Sequence, residues 1–116
     1  MIFWSKNNYS ISTSISFTAN VIKEAKELIL VLYKDNNSLE YEMDLLSIGA
    51  AIENMCLEAE SLSLSTLWIG DINPTNDEIC NELDIKDCRI ISAVAIGYKN
   101  QEPKPRPRKS MDEILI

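Results

Sequence analysis

Between Tyr41 and Leu62 the apolar residues Tyr41, Leu45, Ile48, Ile52, Met55, Ala59 and Leu62 recur at steps of 4, 3, 4, 3, 4 and 3. That spacing keeps one face of an α-helix apolar for about six turns, so it predicts a long helix over 40–62. A second group, Leu46, Gly49, Ala50, Cys56 and Leu57, widens the apolar surface. A helix that is apolar on more than one side is buried on more than one side, and Gly49-Ala50-Ala51 would let another backbone come close. A chain of 116 residues buries roughly 65% of its unfolded surface, enough for one core and no more. The extra partner is therefore expected to be a second copy; the alternative is a central helix within a monomer's core.

The other elements fit around this helix. Leu28–Tyr33 (LILVLY) is a continuous β-rich run and reads as a central strand. A short helix before it would present Val21, Ile22 and Ala25, with Thr18 as its cap. Lys34-Asp35-Asn36-Asn37 marks a turn. Ser63–Ile69 reads as a short strand. Asn73-Pro74-Thr75 begins another helix, with Thr75 and Glu78 in capping-box spacing and Ile79 and Leu83 on its apolar face. Arg89–Tyr98 (RIISAVAIGY) is a second buried strand. The segment 99–116 then turns Pro-rich, basic and extended, with a capping-box pair at Ser110 and Glu113. Residues 1–17 show no sustained period and read as irregular or as a short strand. Helices alternating with few strands predict a single α/β or α+β domain over 1–116.

Several function classes are excluded on residue content. There is no histidine, which removes Ser-His-Asp and Cys-His catalysis and His-based metal sites. Cys56, Cys80 and Cys88 contain no C-x-x-C pair and read as small buried residues in a cytoplasmic protein. The longest apolar run is far below the roughly 20 residues of a membrane span, and the N-terminus lacks signal-peptide order. A net charge of −7 disfavours nucleic acid and anionic lipid as partners. Yet five of the 11 basic residues, Lys99, Lys104, Arg106, Arg108 and Lys109, crowd into the tail. No Gly-rich loop follows LILVLY, which argues against a doubly wound nucleotide-binding domain. Asp77-Glu78 and Asp112-Glu113 stand in helix first turns, where acids favour the dipole rather than a metal.

Two segments, DLLSIGAAIENMCLEAESLSLSTLWIGDI (Asp44–Ile72) and AVAIGYKNQEPKPRPRKSMDEIL (Ala93–Leu115), resemble in order and spacing the C-terminal half of the nitroreductase family. The AKELILVLYKD strand before them extends the similarity. The resemblance implies an α+β fold in which a mixed sheet is flanked by helices, shortened here relative to the family. It also implies a homodimer held by the long helix 40–62 and by C-terminal tails that cross between subunits. FMN would lie at the dimer interface and carry hydride from NAD(P)H to a nitroaromatic, quinone or similar small-molecule acceptor by a ping-pong route. Because the flavin carries the chemistry, no catalytic side chain is required.

Carried over residue by residue, the resemblance places Trp68, Ile69, Gly70 and Asp71 at the turn that lines the flavin. The Gly70 N–H would be the donor to the N5 or O4 edge, a position where a missing Cβ lets a ring approach. Arg108, helped by Lys104 and Arg106, aligns with the basic tail that holds the FMN phosphate, where guanidinium forks donate paired hydrogen bonds. The chain departs from the family in two respects. The 43 residues before Asp44 hold only Lys6, Lys23, Lys26 and Lys34 as basic residues, so the family's N-terminal Arg motif has no counterpart. Ser63 and Ser65 stand where relatives commonly carry glycine, and Ser63 is expected at a left-handed helix end. The competing reading is a shortened or degenerate member, or a fragment, acting as a non-catalytic dimerisation or ligand-binding module.

Overall fold

The computed structural model describes residues 2–6, 17–34, 40–70 and 76–115. The two most apolar β-rich runs become neighbours at the centre of a sheet. They are β2 (Glu27–Tyr33) and β4 (Arg89–Tyr98), with β1 (Ile2–Lys6) outside β2 and β3 (Leu64–Ile69) outside β4. The strand order is β1-β2-β4-β3. β2 and β4 pair from Glu27↔Ile96 through Leu30↔Ala93 to Tyr33↔Arg89, with one irregularity between Val31 and Leu32. β3 pairs with β4 from Leu64↔Tyr98 to Ile69↔Ala93. All three pairings among the described residues are antiparallel. Any parallel pair of the mixed sheet that the resemblance implies therefore lies outside them. The fold is α+β, as expected.

Successive side chains in a strand point to opposite faces, and here each face has its own core. Leu30, Leu32, Ile69, Ile79, Ile90, Ala93 and Ala95 are buried together on one side, with Val21 and Ile22 of α1 (Phe17–Glu24), Ala25 just after it, and Cys80 of α3 (Asn76–Glu82) packed against them. Val31, Tyr33 and Val94 are buried on the other with Ile48 and Ile52 of α2 (Tyr41–Ser61). The long helix thus covers one face and the two short helices the other. β2 and β3 both run against β4, so they are parallel to each other, and α2 carries the chain between them over the strand that will fill the gap.

The predicted stripe on α2 splits into a packed middle and exposed ends. Ile48, Ile52 and Ala59 are buried, whereas Tyr41 is 37% and Leu62, at the C-cap, 62% exposed. The second apolar group is not covered within the chain: Leu46 is 69% and Leu57 60% exposed, and Met43 of the same outer face is 60% exposed. At the end of α2, Ser63 adopts φ 60°, the left-handed conformation expected there, and its N–H donates to the Glu60 carbonyl at 2.9 Å.

Other boundaries shift by a residue or more. Thr18, expected as a cap, lies inside α1, because the helix begins at Phe17. Thr75 and the 34–37 turn beyond Lys34 lie outside the described residues. Residues 2–6 are the short strand rather than the irregular alternative. No helix among the described residues is long and apolar enough to cross a membrane.

Candidate functional site

β3 ends on Trp68 and Ile69, then Gly70. Trp68 stands opposite Val94 in the sheet and is 44% exposed, so it is neither a core aromatic nor a free one. Its Nε1–H donates to Ser92 Oγ at 2.8 Å, and the Ser92 hydroxyl donates to the Ile69 carbonyl at 2.7 Å. Ser92 is 2% exposed. A buried hydroxyl that accepts once and donates once is satisfied at low cost and fixes both partners. The serine thereby holds the indole and the strand end in one arrangement. Sequence reasoning missed it, since one serine inside RIISAVAIGY carries no positional signal. Within the chain Gly49 faces this indole: a β-carbon there would sit 3.9 Å from Trp68 Cη2, ordinary contact.

Gly70 is exposed, its φ is not positive, and a β-carbon built on it would meet nothing within 4 Å. Neither local conformation nor packing within the chain demands glycine. What the residue leaves is an accessible main chain with open space before it, carried on a strand end fixed by Ser92. A planar ring brought edge-on to the backbone fits such a place. Asp71 lies outside the described residues.

The basic tail leaves the sheet away from this turn. Gly70 follows Ile69, which pairs with Ala93 near the middle of β4, whereas the tail departs after Tyr98, at the C-terminal end of that strand. At about 3.3 Å per residue that is a separation on the order of 17–20 Å. Lys99 to Lys109 are exposed throughout. Among the described residues, Lys104, Arg106 and Arg108 have no ion pair or hydrogen bond. The tail is terminated by a 3-10 turn, Met111–Glu113, where the Ser110 N–H and hydroxyl both donate to Glu113 Oε2 at 2.9 Å. These two bonds hold the Glu113 carboxyl below the usual range.

A second polar cluster pins the start of α2 to the sheet. Tyr33 donates through its hydroxyl to Asp44 Oδ2 at 3.0 Å and meets Tyr41 edge-on at 5.4 Å. The Arg89 guanidinium lies 4.8 Å from the Tyr41 ring centre and 5.8 Å from that of Tyr33, and hydrogen-bonds the Tyr41 hydroxyl. Its work is structural: it fixes where α2 begins relative to the ends of β2 and β4.

Comparison with known proteins gives this arrangement its context. The model of the nitroreductase family matches residues 13–98. The chain belongs to the nitroreductase family. Among solved structures, the nitroreductase-family chain is similar to a protein of Desulfovibrio desulfuricans assigned as a nitroreductase and solved in complex with FMN. Identity is 25% and the TM-score 0.78, over 87% of this chain and 59% of that one. It is also similar to a protein of Clostridium acetobutylicum assigned as an NADH oxidase, at 28% identity and TM-score 0.70, over 87% of this chain and 63% of the other. A BluB-like flavoprotein of Clostridium difficile gives 27% identity and TM-score 0.69, over 86% of this chain and 57% of its own. No curated protein matches the chain. The chain spans about three fifths of the length of these solved relatives.

Proposed function

We propose that this nitroreductase-family chain binds FMN and acts as a flavin oxidoreductase, taking hydride from NAD(P)H and passing it to a nitroaromatic, quinone or similar acceptor. The observation that carries the reading is Gly70: an exposed main chain with open space around it, on a strand end held rigid by the Trp68–Ser92–Ile69 hydrogen bonds. When bound, the flavin supplies the two-electron chemistry. The chain's own part is to donate the Gly70 N–H to the N5 or O4 edge, to set Trp68, Ile69 and Asp71 along the ring, and to neutralise the phosphate. Arg108, with Lys104 and Arg106, serves the last role, as its guanidinium suits a dianion and has no competing ion pair among the described residues.

The likeness to the family, in which the C-terminal tails cross between subunits, supports an arginine supplied by a second copy. The reading therefore includes a homodimer. Its interface is the outer face of α2, where Met43, Leu46, Ala50 and Leu57 are exposed within an arc of about 60° at 100° per residue.

The test is spectroscopic. Purified chain mixed with FMN is expected to retain the yellow chromophore through gel filtration and to oxidise NAD(P)H; failure to take up FMN would sink the proposal. Arg108→Gln should weaken FMN binding roughly 10- to 100-fold, the range for losing a charge-assisted hydrogen bond, measured by flavin fluorescence titration. A second reading is a non-catalytic binding or dimerisation module. It predicts a dimer of the same kind without flavin.

A further inference from the structure

The Trp68–Ser92–Ile69 bonds end on a carbonyl that shares its peptide unit with the Gly70 N–H. A trans peptide is planar and its carbonyl and N–H point in opposite directions, so whatever fixes the Ile69 oxygen also fixes the Gly70 hydrogen. The sheet decides which way that hydrogen faces. The Lys26 N–H, directly before β2, donates to the Ile96 carbonyl at 2.9 Å, which places that carbonyl on the β2 side of β4. Main-chain groups alternate between the two sides along an antiparallel strand. Those of Ala93 therefore turn toward β3, and Ile69, opposite Ala93, turns its carbonyl toward β4. The Gly70 N–H is thereby aimed away from β4, off an edge of β3 that no strand covers among the described residues. A β-carbon at Gly70 would meet nothing within 4 Å.

The donors that reach the Ile69 oxygen from the side chains act in series. The Trp68 indole N–H donates to Ser92 Oγ at 2.8 Å, and the Ser92 hydroxyl donates to the carbonyl at 2.7 Å. Hydrogen bonds in series polarise one another, and Ser92, almost wholly buried, does so away from water. A carbonyl that accepts such a bond draws charge from its own peptide N–H, which becomes a stronger donor. We infer that Ser92 is a positioning residue for the ring end of the flavin: through the Ile69 carbonyl it fixes the direction of the Gly70 N–H and strengthens it as a donor. This role rests on the FMN binding proposed above. It divides the work on one ligand, since Ser92 governs the grip on the ring and Arg108 the grip on the phosphate. Riboflavin, which has the ring without the phosphate, should respond to a change at Ser92 and not to one at Arg108.

Each glycine of the chain follows an isoleucine, as Ile48-Gly49, Ile69-Gly70 and Ile96-Gly97. Full chain labelled with carbonyl carbon-13 isoleucine and nitrogen-15 glycine therefore gives three carbonyl–amide correlations by NMR. Without flavin, Ser92→Ala is expected to move the Ile69 carbonyl carbon upfield, the direction for a lost hydrogen bond. The Ile96-Gly97 correlation should stay in place, while that of Gly49, beside the indole, reports any movement of Trp68. In fluorescence titration the same variant should bind FMN and riboflavin roughly 3- to 10-fold more weakly, the range for losing one hydrogen bond, and Ser92→Thr should restore both readings. Ser92→Cys, whose thiol fills the site but donates weakly, should act in the same direction and replaces the alanine variant if that one does not fold. An unmoved Ile69 carbonyl, or FMN bound as tightly by these variants as by wild type, overturns the role of Ser92 and leaves FMN binding standing. Wild-type chain that takes up no FMN overturns both.

Discussion

Ser63 holds a conformation that only glycine adopts without penalty. Ser63→Gly is expected to stabilise the chain by about 1 kcal/mol, net of the extra freedom glycine gives the unfolded state, read as a higher urea midpoint at unchanged slope. That position was legible beforehand because it falls where the helical period stops and relatives commonly carry glycine there. Ser92 was not legible. Its role exists only because β3 pairs with β4 and sets Trp68 above it, a contact 24 residues distant. Ser92→Ala should cost about 1–3 kcal/mol by orphaning the indole N–H and the Ile69 carbonyl. It should also change Trp68 fluorescence, while Ser92→Thr retains much of the effect through its own hydroxyl.

At the scale of elements, α2, β2 and β4 were readable because their patterns persist: seven apolar positions for the helix, and near-continuous apolar runs for the two interior strands. β1 was ambiguous since IFWSK is too short to establish a period. The antiparallel order β1-β2-β4-β3 was invisible, because pairing partners are chosen by packing and not by local pattern. The two-sided character of α2 was visible in sequence, and the fold shows which side remains open. Leu46→Glu combined with Leu57→Glu places charge on exposed carbons. These changes should leave circular dichroism and the core intact, but abolish the self-association proposed for that face, as measured by sedimentation velocity. Sedimentation of the double variant as a species no smaller than the wild type would refute the role given to α2.

Among the described residues two cores straddle one sheet, and the tail is exposed along its length. Stability should then depend on what binds. A ligand present at 100 times its dissociation constant adds about 2.7 kcal/mol to the folded state. Added FMN is expected to raise the thermal midpoint progressively with concentration, by scanning calorimetry, and far less for the Arg108→Gln chain. The candidate site was legible in sequence only through likeness to relatives. Gly70 alone is a turn residue, and its significance rests on the empty space before it, which no spacing rule reports.

The place of β4 has a kinetic meaning as well. It is the last of the four described strands along the chain, yet it lies between two that precede it, and Leu30 must find Ala93 across more than sixty residues. Such contacts are slow to form because loop closure precedes any gain. Until β4 arrives, β2 and β3 each present an unpaired inner edge. Those edges are templates for another chain's strand. A lesion that delays β4, rather than one that merely loosens it, is thus expected to appear as aggregation during folding, with the mature protein once formed little affected.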